Sequence, residues 1–147
     1  MSEPAHVLVI AHQTAATEPL LEAIHERVRR GPATFHLVVP RQAHGMHRVV
    51  DPQDAGGDEA ARVLQAALPR LSEAAGSEVQ GSVGDSEPLM AIHDAVNRGG
   101  YDEIIISTLP LGVSRWLKLD LVSKASGLGL PVTHVRSADG VEASPAL

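Results

Sequence analysis

Apolar positions along this chain follow two patterns. His6-Val7-Leu8-Val9-Ile10-Ala11, Thr34-Phe35-His36-Leu37-Val38-Val39 and Glu103-Ile104-Ile105-Ile106-Ser107 are short apolar runs without strict alternation. Such runs predict strands covered on both faces, as in a parallel sheet. Glu78-Val79-Gln80-Gly81-Ser82-Val83 is more polar and predicts an edge strand, and Val132-Thr133-His134-Val135 is the last strand candidate. Between these runs the apolar residues recur at helical spacing: Leu20, Leu21, Ile24 and Val28; Val63, Leu64, Ala67, Leu68 and Leu71; Leu89, Ile92 and Val96. Pro19 opens the first helix and Arg29-Arg30-Gly31-Pro32 closes it; the basic pair there suits the helix dipole and needs no ligand. The second spans Asp58 to Gly76, with Pro69 predicting a kink or a split. Gly99-Gly100 ends the third. A fourth is predicted from Ser114, as its N-cap, through Trp116, Leu117, Leu121 and Val122. Trp116 reads first as a packing residue, with the wall of a crevice or a subunit contact as the other use.

Alternating strands and helices imply an α/β fold with a mostly parallel sheet. Residues 1–137 read as one domain and 138–147 as a frayed, disordered tail. Pro40 to Gly57 has no period, so it is either a functional lid or a disordered segment.

Composition narrows the function classes. The chain has 147 residues, and a domain near this size buries about 68–70% of its unfolded surface without needing a staple. Its zero cysteines exclude disulfides, thiolate catalysis and thiolate zinc sites. A net charge of −6 argues against a broad nucleic-acid surface, and 2% aromatic content leaves no platform for stacking bases. No run of eighteen apolar residues and no leader pattern is visible, so the expectation is a cytoplasmic protein without a membrane span.

The stretch Tyr101–Val135 carries a resemblance. Its strand, Pro/Gly-rich turn, helix and strand resemble the C-terminal half of a universal stress protein, where a strand leads into G-x-x-G, nine residues, then G-[ST]. The spacing fits without a gap, placing Ser107 and Pro110 at the first two glycines and Asp120-Leu121 at the final pair. Gly84-Asp85-Ser86 is similar to the Gly-Asp-Pro turn of that family. The resemblance spans nearly the whole chain. It implies a five-stranded Rossmann-like sheet of the adenine nucleotide alpha hydrolase type, helices on both faces, in the order 3-2-1-4-5. It also implies a homodimer formed through the last strand, Pro131, Val132, Thr133, His134 and Val135.

In that family the glycine loop cradles ATP phosphates, because bare backbone can turn its N–H groups onto the ligand. Here Pro110 has no N–H, Ser107 adds a side chain and Leu121 has no hydroxyl. A carboxylate at Asp120 would repel a phosphate oxygen about 4 Å away by roughly 4 kcal/mol at an effective dielectric near 20. Arg115 and Lys118 are the cations that would offset that, but they read first as solvated charges on an exposed helix face. The expectation is therefore a regulatory or binding module with no cofactor, ATP in the usual mode being disfavoured.

The alternative is a small phosphate ligand or nucleotide held in an altered crevice between the first and fourth strands. Its candidate residues are Ala11, His12, Gln13, Thr14, Val39, Ser107, Thr108, Pro110, Ser114, Arg115 and Asp120. His12 stands where the family usually has an aspartate contacting the nucleotide; a histidine bonded to a backbone carbonyl is the plain reading. Gln13 and Thr14 precede a helix N-terminus, where they would meet a small anion or simply cap the helix.

A phosphoester hydrolase using His12 with Ser107 or Thr108 ranks below both. No Gly-x-Ser-x-Gly elbow surrounds either hydroxyl, so no catalytic residue is assigned. His44 and His47 are half a metal site at best and differ in place and spacing from the His-x-Gly-His of nucleotidyl transferases, so no metal is expected. Gly84 and His12 stand where a response regulator needs acids, and Walker and dinucleotide motifs are absent.

Overall fold

The computed structural model describes residues 4–41, 55–109 and 115–137. Five strands alternate with helices: β1 (Ala5–Ile10), α1 (Glu18–Arg29), β2 (Ala33–Pro40), α2 (Ala55–Ala75), β3 (Gln80–Gly84), α3 (Pro88–Arg98), β4 (Glu103–Thr108), α4 (Arg115–Lys118), α5 (Leu121–Ser126) and β5 (Val132–Arg136). The strands form one sheet in the order β3-β2-β1-β4-β5, and every neighbouring pair is parallel. The polar third run does lie at an edge, and β5 is the other edge.

The unbroken apolar runs are explained by what covers the sheet. Successive strand residues point to opposite faces. Val7 and Val9 of β1 join Phe35, Leu37 and Val39 of β2 under Leu20 and Ile24 of α1 and Ala67 and Leu71 of α2. Leu8 and Ile10, one residue out of step, join Val38, Ile104 and Ile106 under Ala91, Ile92 and Ala95 of α3 and Leu121 and Ala125 of α5. Both faces of the central strands are thus buried, and alternation disappears.

Local chemistry sets the helix ends. Pro19 lies in the first turn of α1, and Thr17 takes extended N-cap backbone angles. Gly99 and Gly100, at φ 93° and 95°, stop α3 in a conformation that residues with a Cβ avoid. The far end of α1 is tied to the start of β4, where the Arg27 guanidinium donates to both carboxylate oxygens of Glu103 at 2.6–3.0 Å.

Two expectations are corrected. Of the kink or split expected at Pro69, the split does not occur: α2 runs unbroken from Ala55 to Ala75 and starts three residues before Asp58. Pro69 removes the bond to the carbonyl of Gln65. Both residues are exposed, so water can satisfy that carbonyl. The single fourth helix, by contrast, is broken into α4 and α5 at Asp120, whose φ of 60° and ψ of 39° are left-handed and cannot continue a right-handed helix. The break lets Leu121 and Ala125 bury beneath the sheet while Trp116 of α4 packs half-buried against the same core. Pro110 and Ser114 lie outside the described residues, as do His44 and His47 and most of the Pro40–Gly57 segment.

Candidate functional site

Strand order places the candidate site. From β1 the chain moves outward to β2 and β3, then returns to lay β4 and β5 on the other side, so the order reverses between β1 and β4. Ligands of open α/β sheets bind in the crevice at the carboxyl ends of two such strands. Ile10 pairs with Ile106, which brings the residues after β1 level with the end of β4.

From the β1 side come Ala11, His12, Gln13 and Thr14. Ala11 is fully buried, and its N–H donates to the Val38 carbonyl at 3.3 Å. The His12 carbonyl accepts from the Ala15 N–H at 3.1 Å, closing the turn before α1. The His12 ring is half-buried, and its Nε2 atom is buried without a hydrogen-bond partner among the described residues. Burial lowers the His12 pKa from its ordinary 6.5, with Glu59 of α2 opposing the shift. Burial thus favours the neutral imidazole at the switch point, where Nε2 has no partner among the described residues. Gln13 is exposed.

Thr14 does not act as a cap. Its hydroxyl lies 2.6 Å from the Ser107 hydroxyl, and both side chains are buried. This bond crosses from the α1 approach to the end of β4. Thr17 is the N-cap residue, yet its hydroxyl leaves the helix N-terminus unserved: it donates to the Thr14 carbonyl at 3.0 Å and pairs with the Ser137 hydroxyl at 2.8 Å.

Thr108 is engaged with the edge strand. Its hydroxyl lies 2.8 Å from His134 Nε2, and its carbonyl accepts from the Ser137 N–H at 2.9 Å. His134 is half-buried, and burial, then Arg136, lowers its pKa. Although hydroxyl and imidazole are in contact, Thr108 is only 2% exposed, which closes it to substrate. Ser107 likewise has another hydroxyl rather than a base as its partner. Val39 is fully buried in the core between the sheet and the α1 and α2 helices.

At the far end of the motif spacing, Asp120 is exposed and is the one non-glycine residue with positive φ among those described. Asp tolerates the left-handed region better than most residues, but glycine is its natural occupant. The backbone at this position thus takes a glycine's conformation while carrying a carboxylate. Arg115 begins α4.

The comparisons bear on this geometry. No family model matches the sequence, and no curated protein matches it. Solved structures do match. The universal stress protein UspA from Lactobacillus plantarum superposes with a TM-score of 0.66 at 14% identity, over 92% of this chain and all 100% of the other. The fold is that of the universal stress proteins. A universal stress protein from Archaeoglobus fulgidus in complex with dAMP gives 0.61 at 17% identity, covering 92% of this chain and 99% of that one. A universal stress protein family protein from Arabidopsis thaliana with AMP bound gives 0.57 at 17% identity, covering 92% and 94%.

Sequence reasoning named His12, Thr14, Ser107 and Thr108 separately, and the tertiary structure brings Thr14 onto Ser107 and Thr108 onto His134. It missed Thr17, Ser137 and Glu59. Ser137 stands at the boundary with the polar tail and Thr17 in the turn before α1, so neither advertises a partner 120 positions away. Among the described residues no three His, Asp or Glu side chains cluster so as to hold a metal ion, and no helix is long and apolar enough to cross a membrane.

Proposed function

We propose that this chain is a universal stress protein-like regulatory or binding module that does not hold ATP in the family's glycine-loop manner and works without catalytic turnover. The observation that carries this reading is the buried bond of 2.6 Å between Ser107 and Thr14. A side chain stands where the motif's first glycine would leave bare backbone, and its hydroxyl is committed to the protein. Asp120 adds a negative charge where the motif has its third glycine. Calorimetric titration with ATP, ADP, AMP and cyclic AMP is the test: no saturable heat with ATP is expected, and tight ATP binding would overturn the proposal.

A second reading is favoured by one observation, the buried Nε2 of His12 that lacks a partner among the described residues. In this reading the crevice takes a smaller phosphate compound such as a nucleoside monophosphate, with His12 hydrogen-bonding the ligand. The bound dAMP and AMP of two proteins of the same fold give that size of ligand its precedent. Binding of AMP but not ATP, weakened by His12→Ala, would select it. Phosphoester hydrolysis ranks lowest, since neither Ser107 nor Thr108 bonds to His12.

The module is further proposed to act in the cytoplasm as a homodimer joined along β5. That strand is a sheet edge, and Thr133 and Arg136 on it are exposed. Sedimentation showing a monomer at high micromolar concentration would refute the dimer.

A further inference from the structure

Two strands away from the crevice, the sheet has a second concave feature that its neighbours build in detail. At the carboxyl ends of β2 and β3 the pairing continues one step beyond β2, because the Arg41 N–H donates to the Gly84 carbonyl at 3.0 Å. This pins the backbone of Arg41. Gly84 is required there for space: a Cβ would lie 2.7 Å from Val38 Cγ1 and 3.0 Å from Ala91 Cβ, so α3 closes tightly on the strand at this point. Asp85 follows in a fixed turn, its Oδ1 accepting from the Glu87 N–H at 2.8 Å. Ser82 is held from below by His36, whose Nε2 lies 3.0 Å from the hydroxyl.

These elements enclose a recess of about 180 Å³ lined by Arg41, Ser82, Gly84, Asp85, Asp94 and Arg98, among others. Asp94 and Arg98 are four apart on α3 and so lie on one side of it. Neither is ion-paired among the described residues. Asp94 and Arg98 therefore present opposite charges to one small volume without pairing with each other.

That charge arrangement selects a ligand class. A bare phosphate or carboxylate would meet Asp85 and Asp94, and a bare amine would meet Arg98, so each gains from one sign of charge and is repelled by the other. A molecule carrying an ammonium and a carboxylate on the same carbon gains from both. We propose that the recess between β2, β3 and α3 binds a free amino acid, its ammonium beside Asp94 and Asp85, its carboxylate beside Arg98, with Ser82 as a further hydrogen-bonding group. The site is separate from the β1–β4 crevice and does not depend on what the crevice holds.

The test is calorimetric titration of the whole protein with the twenty L-amino acids. The strongest binder is then compared with its deaminated acid and its decarboxylated amine. At least one amino acid should bind with Kd below about 1 mM, and both fragments should bind at least about tenfold more weakly, the loss of one charge-assisted contact. Asp94→Asn and Arg98→Gln alter exposed side chains, and each should weaken binding about tenfold with an unchanged circular dichroism spectrum. Binding should survive Ser107→Ala, which separates this site from the crevice. No saturable binding across the panel, equal binding of inorganic phosphate or of the deaminated acid, or binding indifferent to both variants would each overturn the proposal.

Discussion

Replacing Ser107 by alanine should show whether its contact with Thr14 is a closed, buried bond. The two hydroxyls are 2.6 Å apart, Ser107 is 1% exposed and Thr14 2%, and no other hydrogen bond of either side-chain oxygen is among those described. Ser107→Ala removes one partner and leaves the Thr14 hydroxyl buried and unsatisfied, which costs about 1–3 kcal/mol. Thr14→Val strands Ser107 by the same amount. In the double variant both groups are apolar and no polar atom is stranded, so its cost should be far below the sum of the singles. Urea denaturation of the wild type, both singles and the double closes the cycle, and a coupling of about 1–2 kcal/mol is expected for residues in contact. For a chain of this length each kcal/mol corresponds to about 2–4 °C in Tm, so thermal melting checks the same number. Strictly additive single effects would mean that the hydroxyls do not depend on each other and that Ser107 is not committed to Thr14.

Asp120→Ala should destabilise by about 1 kcal/mol, because a left-handed backbone suits Ala less well than Asp, whereas Asp120→Gly should cost little or nothing; urea midpoints decide, and an equal cost for both would refute the left-handed assignment. The pH dependence has a definite sign. His12, His36 and His134 all have pKa values lowered from 6.5, in each case mainly by burial, opposed by Glu59 at His12 and reinforced by Arg98 at His36 and Arg136 at His134. The unfolded chain then binds more protons below pH 6.5 than the folded one, so these groups' contribution is complete above that pH and lost as pH falls towards the folded values. The urea midpoint should drop between pH 7.5 and 5.5 and recover partly in His36→Gln; a rise at pH 5.5 would contradict the burial of these rings.

Much of the fold was legible because burial writes itself into the sequence. Val7 to Ile10 and Ile104 to Ile106 lack alternation because helices cover both faces of the central strands, and Gln80 to Gly84 is polar because β3 lies at an edge. Pro19 and Gly99-Gly100 marked helix ends through backbone chemistry that needs no tertiary partner. The strand order came only through resemblance, since periodicity says which residues are buried and not which strand lies beside which.

The remainder was decided in three dimensions. Pro69 passes through α2 because its lost acceptor faces water, an exposure that no local pattern encodes. The break at Asp120 depends on Leu121 and Ala125 having to reach the core. Whether Ser107 opens a loop or closes it depends on Thr14 arriving from 93 positions away, and the recess of Arg41, Asp85, Asp94 and Arg98 exists only where β2, β3 and α3 converge. Sequence alone determined which side chains avoid water and where the chain can turn, because solvent and backbone sterics act residue by residue. Which polar groups meet was left to the tertiary structure, because a hydrogen bond or a charge cluster is a property of pairs that only folding brings together.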